Sequence, residues 1–222
     1  MNWLARRRYP RWSARCHADT RLRDLSCVVL DCETTGLHPF DGDRLVSVSA
    51  ISVSSLAITE RVFDALVSPG VPIPAEATAI HGISDAMVVD ALPSDVVVAG
   101  LRNFIGDDVA VGQVVAFDLA FLDPVVRRNR LVPFPLTLDT LLMSLVLWPE
   151  DGVRHGLDAL TERLNIEVTD RHTAHGDALA TARVFVALVP MLEERGLVTV
   201  RDVAAACQAT PRAAQLAKRY RR

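Results

Sequence analysis

The chain is short of almost everything that would place it outside the ordinary α/β proteins. No apolar run approaches the roughly 18 residues needed to span a bilayer. The arginine-bearing first residues are not followed by the apolar segment of a secretory signal. Four cysteines, Cys16, Cys27, Cys32 and Cys207, form no Cys-x-x-Cys pair, which argues against a zinc ribbon or a disulfide framework. The expectation is a reducing, cytoplasmic setting with no membrane partner. Internal repeats and low-complexity tracts are absent. Lysine is nearly missing: Lys218 stands alone beside 23 arginines, an imbalance from which no function follows.

What is present suits one domain with short appendages: 222 residues, half of them apolar. The net charge of −3 conceals an asymmetry. Residues 1–23 carry seven arginines against one acid, Asp19, and residues 212–222 carry Arg212, Lys218, Arg219, Arg221 and Arg222 with no acid. Residues 24–211 hold 12 basic and 26 acidic residues, a net of −14. An acidic body binds a polyanion poorly unless cations stand between them. The basic ends, with Trp3, Tyr9 and Trp12 interleaved among arginines, either supply that missing attraction or are solvated tails. The expected division is a basic N-terminal arm over 1–23, a domain over 24–196, and a C-terminal extension with a basic end over 197–222.

Apolar periodicity predicts strands at Ser26–Leu30, Arg44–Val53, Ala57–Val67, Val109–Gly112 and Leu136–Asp139. Helices are expected at Ala75–Ile80, Ser94–Ile105, Asp118 to about Arg130, Thr140–Leu147, Gly156–Leu164 and Gly176–Glu194. A hairpin followed by alternating strands and helices implies an α/β fold: a mixed five-stranded sheet with helices on both faces.

The segment Leu30-Asp31-Cys32-Glu33-Thr34-Thr35-Gly36-Leu37 carries the most information. Residues two apart on a strand share a face, so Asp31 and Glu33 present adjacent carboxylates. Two such anions at the end of an apolar strand repel each other, and a divalent cation of the Mg²⁺ or Mn²⁺ type resolves the repulsion. The plainer alternative is a strand end with two solvated acids. Farther on, Phe117-Asp118 opens an amphipathic helix, where Asp118 also reads as a simple N-cap. His172 and Asp177 stand five apart at the start of the last long helix, where Asp177 also suits the helix dipole. His38 and Asp43 repeat that spacing, by accident, in a loop. His172 and His175 lack a third nitrogen or sulfur ligand nearby, against a zinc site.

The string from Asp31 to Leu37 resembles the first motif of the DEDD exonucleases, the superfamily of the proofreading epsilon subunit of bacterial DNA polymerase III. The resemblance implies an aspartate near mid-chain and a His-x4-Asp pair of the histidine subgroup; Asp118 and His172/Asp177 match, so the likeness spans residues 31–177. The chain departs from the family at Gln113-Val114, where most members have His-Asn. Ala79-Ile80-His81-Gly82-Ile83 is similar to a family segment beside the bound 3′ end. Leu138-Asp139-Thr140 and His155-Gly156-Leu157 resemble family stretches expected to be structural.

The resemblance implies a ribonuclease-H-like fold and a metal-dependent 3′-5′ exonuclease that releases nucleoside 5′-monophosphates from nucleic-acid 3′ ends, single-stranded or frayed. Its metal ligands would be Asp31, Glu33, Asp118 and Asp177, holding two divalent cations, Mg²⁺ or Mn²⁺. His172 would be the general base. Thr34, Leu37 and His81 would hold the terminal nucleotide. A stand-alone enzyme is the first expectation, because neither Gln208-Ala-Thr-Pro-Arg nor Gln215-Leu-Ala-Lys-Arg matches the clamp-binding string that replicative epsilon subunits carry. A polymerase-associated proofreading subunit is the second, and a catalytically inactive nucleic-acid-binding module the third.

Overall fold

In the computed structural model, which describes residues 17–134, 136–150 and 154–220, the apolar run beginning at Ser26 becomes a nine-residue strand, β1 (Ser26–Thr34), at the centre of the sheet. It is longer than its apolar part because pairing continues through the two acids: Asp31 faces Ser49 and Glu33 faces Ser47 on β2 (Leu45–Ser54). The next strand, β3 (Ala57–Ser68), completes an antiparallel hairpin. On the other side of β1 lie two parallel strands, β5 (Val109–Gly112) and β6 (Thr137–Asp139). A sixth strand of two residues, β4 (Leu92–Pro93), adds to the expected five by pairing parallel to β3, giving the order β4-β3-β2-β1-β5-β6. Its pattern is too short to register as periodicity.

Helices cover both faces, as expected. One face of β1 (Cys27, Val29) meets α5 (Thr140–Leu147), α6 (Leu157–Arg163) and α7 (Ala174–Glu194). The other (Val28, Leu30, Cys32) meets α3 (Ser94–Ile105) and α4 (Val115–Arg128). Two short helices, α1 (Ala75–His81) and α2 (Asp85–Val88), close a small apolar cluster around Val46. By length and composition α7 is apolar enough to cross a bilayer, yet most of that length is buried inside this core.

The expected boundaries at 23 and 196 are not breaks in the packing. Residues 197–220 continue as α8 (Val200–Gln208) and α9 (Pro211–Tyr220). Val200, Val203 and Cys207 belong to the same core cluster as α7. The capping box Thr199-x-x-Asp202 starts α8, with Thr199 accepting from Asp202 N and Asp202 from Thr199 N. The described part of the basic arm is docked as well. Leu22 is fully buried, and Leu22 N donates to Val198 O at 2.9 Å while Val200 N donates to Thr20 O at 3.1 Å. Arg23 pairs with Glu193 and Arg201 with Asp19. Trp3, Tyr9, Trp12 and the arginines before Arg21 lie outside the described residues, as do Arg221 and Arg222.

Leu22 therefore belongs to the core and not to an appendage. Leu22→Ala is expected to lower unfolding free energy by about 2–5 kcal/mol, the range for a fully buried leucine, as read by chemical denaturation. A loss below about 0.5 kcal/mol would place residues 17–24 outside the cooperative unit.

Candidate active site

The C-terminal end of β1 carries Asp31 and Glu33 to the face that α7 covers. Asp177, in the first turn of α7, meets them from above. One carboxylate oxygen from each of Asp31, Glu33 and Asp177 lies within 4.8 Å of the other two. Close approach is built into the chain at two places. Across from the acids, β2 offers only the small side chains of Ser47 and Ser49. At the start of α7, a Cβ on Gly176 would lie 2.0 Å from the Asp170 carbonyl oxygen, so no other residue lets the 170–172 loop cross the helix here.

Asp118 approaches from the opposite face. It sits in the first turn of α4, not at its N-cap, because the helix begins at Val115. It is only 3% exposed and lies against Cys32 and beside Asp31. The four acids thus converge on one strand end, three in a tight cluster and Asp118 next to Asp31.

Burial and nearby negative charge shape the titration of Asp31, Glu33 and Asp118. Burial, then the charges of Asp118, Asp177 and Glu33, push Asp31 well above the usual carboxylate range. Burial and Asp177 raise Glu33 to about 7. Asp118 is raised well above its ordinary value by burial, against the Cys32 side chain and backbone amides. One cation opposes this in the protein itself: the Arg171 guanidinium pairs with Asp177 and, at 2.6 Å, with Asp158 of α6. Burial works against the Arg171 charge, and the two carboxylates more than offset it. An arginine drawn into a buried carboxylate cluster marks a place that favours positive charge, and an all-oxygen donor set suits Mg²⁺ or Mn²⁺. The residues fit a divalent cation.

The remaining expected residues are spread around this centre. His172 is exposed, with its backbone in the left-handed region at φ 61°. Its N–H faces Asp177 Oδ1 at 3.4 Å, while the Asp158 carboxyl is held low by Arg171 first and by His172 to a lesser degree. The structure therefore places Arg171, not the His172 ring, in the cluster. His175 Nδ1 lies 3.4 Å from Ser49 Oγ, one strand from Asp31. Thr34 is buried and donates to Gly36 O at 2.6 Å. Leu37 is 62% exposed. His81 is buried, accepts from Ile83 N through Nδ1 at 3.0 Å, and has no partner at Nε2 among the described residues.

Two structural residues had only a faint signature. Asp43 fixes the loop after β1: Thr35 Oγ1 and His38 N donate to its two oxygens at 3.1 and 2.8 Å. A Cβ on Gly36 would strike that carboxylate at 2.5 Å. The His38/Asp43 spacing is thus a backbone clasp and not a catalytic pair. Asp139, read as structural, accepts from Val114 N, Val115 N, Leu141 N and Leu142 N, capping α5 and tying down the start of α4. Burial raises it to about 6 against those four amides.

The same junction explains the Gln113-Val114 departure. Gln113 Nε2 donates to His155 O at 2.8 Å, and Gln113 Oε1 accepts from Thr140 Oγ1 at 2.5 Å, so this residue anchors two loops. Val114 lies at φ 60°, ψ 42°, a conformation that asparagine tolerates and a β-branched residue resists.

Comparison with known proteins agrees with this geometry. A family model described as Exonuclease matches residues 28–185. A DNA polymerase III subunit epsilon-like protein of Rhodobacter capsulatus is 44% identical over 82% of this chain and 26% of its own length. The DNA polymerase III subunit epsilon of Rickettsia typhi is 33% identical over 72% of each chain. The chain thus spans about a quarter of the first relative and about three quarters of the second. A solved structure of Exonuclease X in complex with 5′ overhanging duplex DNA superposes with a TM-score of 0.63 at 26% identity, over 82% of this chain and 99% of that one.

Two outcomes follow from the site. A carboxyl whose pKa is higher folded than unfolded favours folding while protonated, and loses that contribution as pH rises through the interval. For Glu33 the interval runs from 4.5 to about 7. Metal-free protein should melt at a lower temperature at about pH 8 than at about pH 5. Glu33→Gln should flatten that fall, and Mn²⁺ binding at pH 6.5 should release protons into the buffer, as measured by calorimetry in buffers of different ionisation enthalpy. Equal heats in all buffers would contradict the raised pKa values. Separately, Val114→Asn should raise the melting temperature by about 2–4 °C through relief of roughly 1 kcal/mol of backbone strain. Unchanged or lower melting would show that Val114 packing outweighs the strain.

Proposed function

The chain belongs to the exonuclease family, and from that membership we propose that it is a metal-dependent 3′-5′ exonuclease acting on single-stranded or frayed nucleic-acid 3′ ends and releasing nucleoside 5′-monophosphates. The observation that carries this reading is the convergence of Asp31, Glu33 and Asp177 within 4.8 Å, with Asp118 beside Asp31. Asp31, Glu33 and Asp177 would hold one divalent cation, and Asp31 with Asp118 a second, Mg²⁺ or Mn²⁺ in each case. Cations there supply Lewis acidity toward the phosphoryl oxygens and lower the pKa of the attacking water.

The protein's own groups do the rest. His172 accepts the proton of the attacking water; its exposed position on a loop next to Asp177 leaves the ring free to turn toward the cluster. Arg171 orients Asp177 through its paired contacts with Asp158 and Asp177. The Asp43 clasp fixes the loop that presents Leu37. Thr34, Leu37 and His81 form the seat of the terminal nucleotide: the exposed Leu37 offers an apolar surface to a base, and the unpartnered Nε2 of His81 a polar group for sugar or phosphate.

A stand-alone enzyme is the first form of this reading. The names of the epsilon relatives favour a second, in which the same chemistry serves a polymerase as its proofreading subunit. The two strings that fail to match a clamp-binding sequence both lie in helices, Gln208 at the end of α8 and Gln215 within α9. All five expected catalytic positions are intact, which weighs against an inactive binding module.

The test uses 3′- and 5′-labelled single-stranded, duplex and mismatched DNA and RNA with Mg²⁺ or Mn²⁺. Stepwise loss from the 3′ end is expected. Asp31→Ala should abolish it without unfolding the protein, and wild-type turnover by that variant with Mg²⁺ would sink the metal-site assignment. His172→Ala should lower the rate by roughly 10²–10⁴ and flatten the acid limb of the pH–rate profile. His175→Ala should do much less, and the reverse order would move the base to His175.

A further inference from the structure

The last turn of α9 stands against the loop that leaves β1. Between them is a pocket of about 210 Å³, lined by Leu37, Phe40, Asp41, Lys218, Arg219 and Tyr220 among others. Each of its walls is tied to a segment that carries one of the acids. Leu37 is four residues beyond Glu33 on the same strand-to-loop path. Tyr220 meets the ring of Phe117 edge-on, with centroids 5.7 Å apart, and Phe117 immediately precedes Asp118. Both walls are fixed. The loop is held by Asp43 through His38 N, and α9 by Leu216, only 5% exposed.

The lining of this pocket is opposite in charge to the body of the chain as a whole. The chain's single lysine is here, beside Arg219; both are exposed, and neither forms an ion pair among the described residues. Asp41 is the one acid in the lining, so cations outnumber acids next to a body of charge −14. The Arg219 guanidinium stands 5.2 Å from the Tyr220 ring. Cations beside an accessible ring form a typical platform for single-stranded nucleic acid, the charge meeting phosphate and the ring meeting a base. A volume below the roughly 300–1,000 Å³ of a pocket that encloses a whole ligand suits one position along a strand that runs past it.

We propose that the end of α9 and the loop 37–41 form a second nucleotide subsite, which holds the strand on the 5′ side of the residue being removed. The proposal rests on the exonuclease reading above: with the 3′ end at the carboxylates, a strand can continue only in the 5′ direction. Lys218 and Arg219 contact a phosphate each, and Tyr220 stacks against a base.

The test compares the full chain with its Lys218→Glu/Arg219→Glu and Tyr220→Ala variants on two substrates. One is the p-nitrophenyl ester of thymidine 5′-monophosphate, which has no upstream nucleotide. The other is a series of oligothymidylates of two to eight nucleotides. For the wild type, KM should fall as the first few nucleotides are added. The double variant should lose that length dependence. On the longest strand its plot of log KM against log salt should be shallower by about 1.4, two phosphate contacts at about 0.7 each. Tyr220→Ala should raise the long-strand KM about fivefold or more. Ester turnover should match the wild type in both variants, because the ester does not reach the subsite.

Equilibrium binding of a labelled eight-nucleotide strand without divalent cation, followed by anisotropy, tests the subsite even if nothing is hydrolysed. Wild-type hydrolysis of neither substrate, with intact strand binding that the double variant weakens, would overturn the exonuclease reading and keep the subsite. An unchanged salt slope and unchanged anisotropy in the double variant would overturn the subsite and keep the enzyme. Faster ester turnover in either variant would mean that α9 obstructs the site, which also overturns the subsite.

Discussion

Repulsion among four carboxylates, two buried and two half-buried, at one end of β1 is the constraint around which the molecule is arranged. The central strand supplies two of them, and its pairing with β2 through Asp31 and Glu33 fixes both on one face. Everything nearby either tolerates or offsets that charge. Serines face the acids on β2, a glycine lets the preceding loop cross the start of α7, and Arg171 leans in from that loop. A protein selected for stability alone would replace such a cluster with apolar side chains. Four acids gathered at the end of an apolar run on the central strand point to function, because unfavourable electrostatics persist where catalysis needs them.

The elements that were legible in the sequence are those whose own pattern determines them. The period-two runs of β1 and β2 and the apolar stripe of α7 came through with ends displaced by a few residues. The Asp31/Glu33 pair was legible because strand alternation places both side chains on one face whatever the rest of the fold does. Asp177 followed from the His-x4-Asp spacing that the family resemblance implies, placed at the start of the last long helix. What escaped depended on contacts between distant segments. Arg171 is one arginine among 23, and only the folding of the loop before α7 over the first turn of that helix, with Asp158 of α6 alongside, makes it a partner of Asp177. Asp43 and His38 were visible as a spacing, but the backbone clasp they form needs a loop geometry that spacing does not encode. The signal for α8 was present in Thr199-x-x-Asp202, a capping box, yet the short helices after it lack a long stripe to set them apart from a tail.

The junction between β5 and α4 shows how one buried acid organises a site that it does not belong to. Asp139 receives four backbone N–H groups, from the start of α4 and from the start of α5. Those donors have no partner within their own helices. A single carboxylate thus orients two helix starts at once, and α4 carries Asp118 toward Asp31. The strained backbone of Val114 lies within this arrangement, held in place by the pairing of its N–H with Asp139. Gln113 extends the same network to His155 and Thr140. The departure from the family's His-Asn pair is therefore accommodated by rewiring around the carboxylates, with Asp118 still in place.

Residues 20–22 and 198–200 lie side by side, joined by two backbone hydrogen bonds and flanked by the Arg23–Glu193 and Arg201–Asp19 pairs. The stretch between them is in effect a loop of chain closed at its neck. All six strands lie within that loop, so the stitch ties the two ends of the sheet-bearing stretch to each other while α8 and α9 continue beyond it. The neck is a short antiparallel stitch of main chain, with Leu22 and Val200 buried beneath it. Such a closure restrains the chain far from the strand end that carries the acids, in the way a cross-link would, through main-chain pairing and buried side chains together.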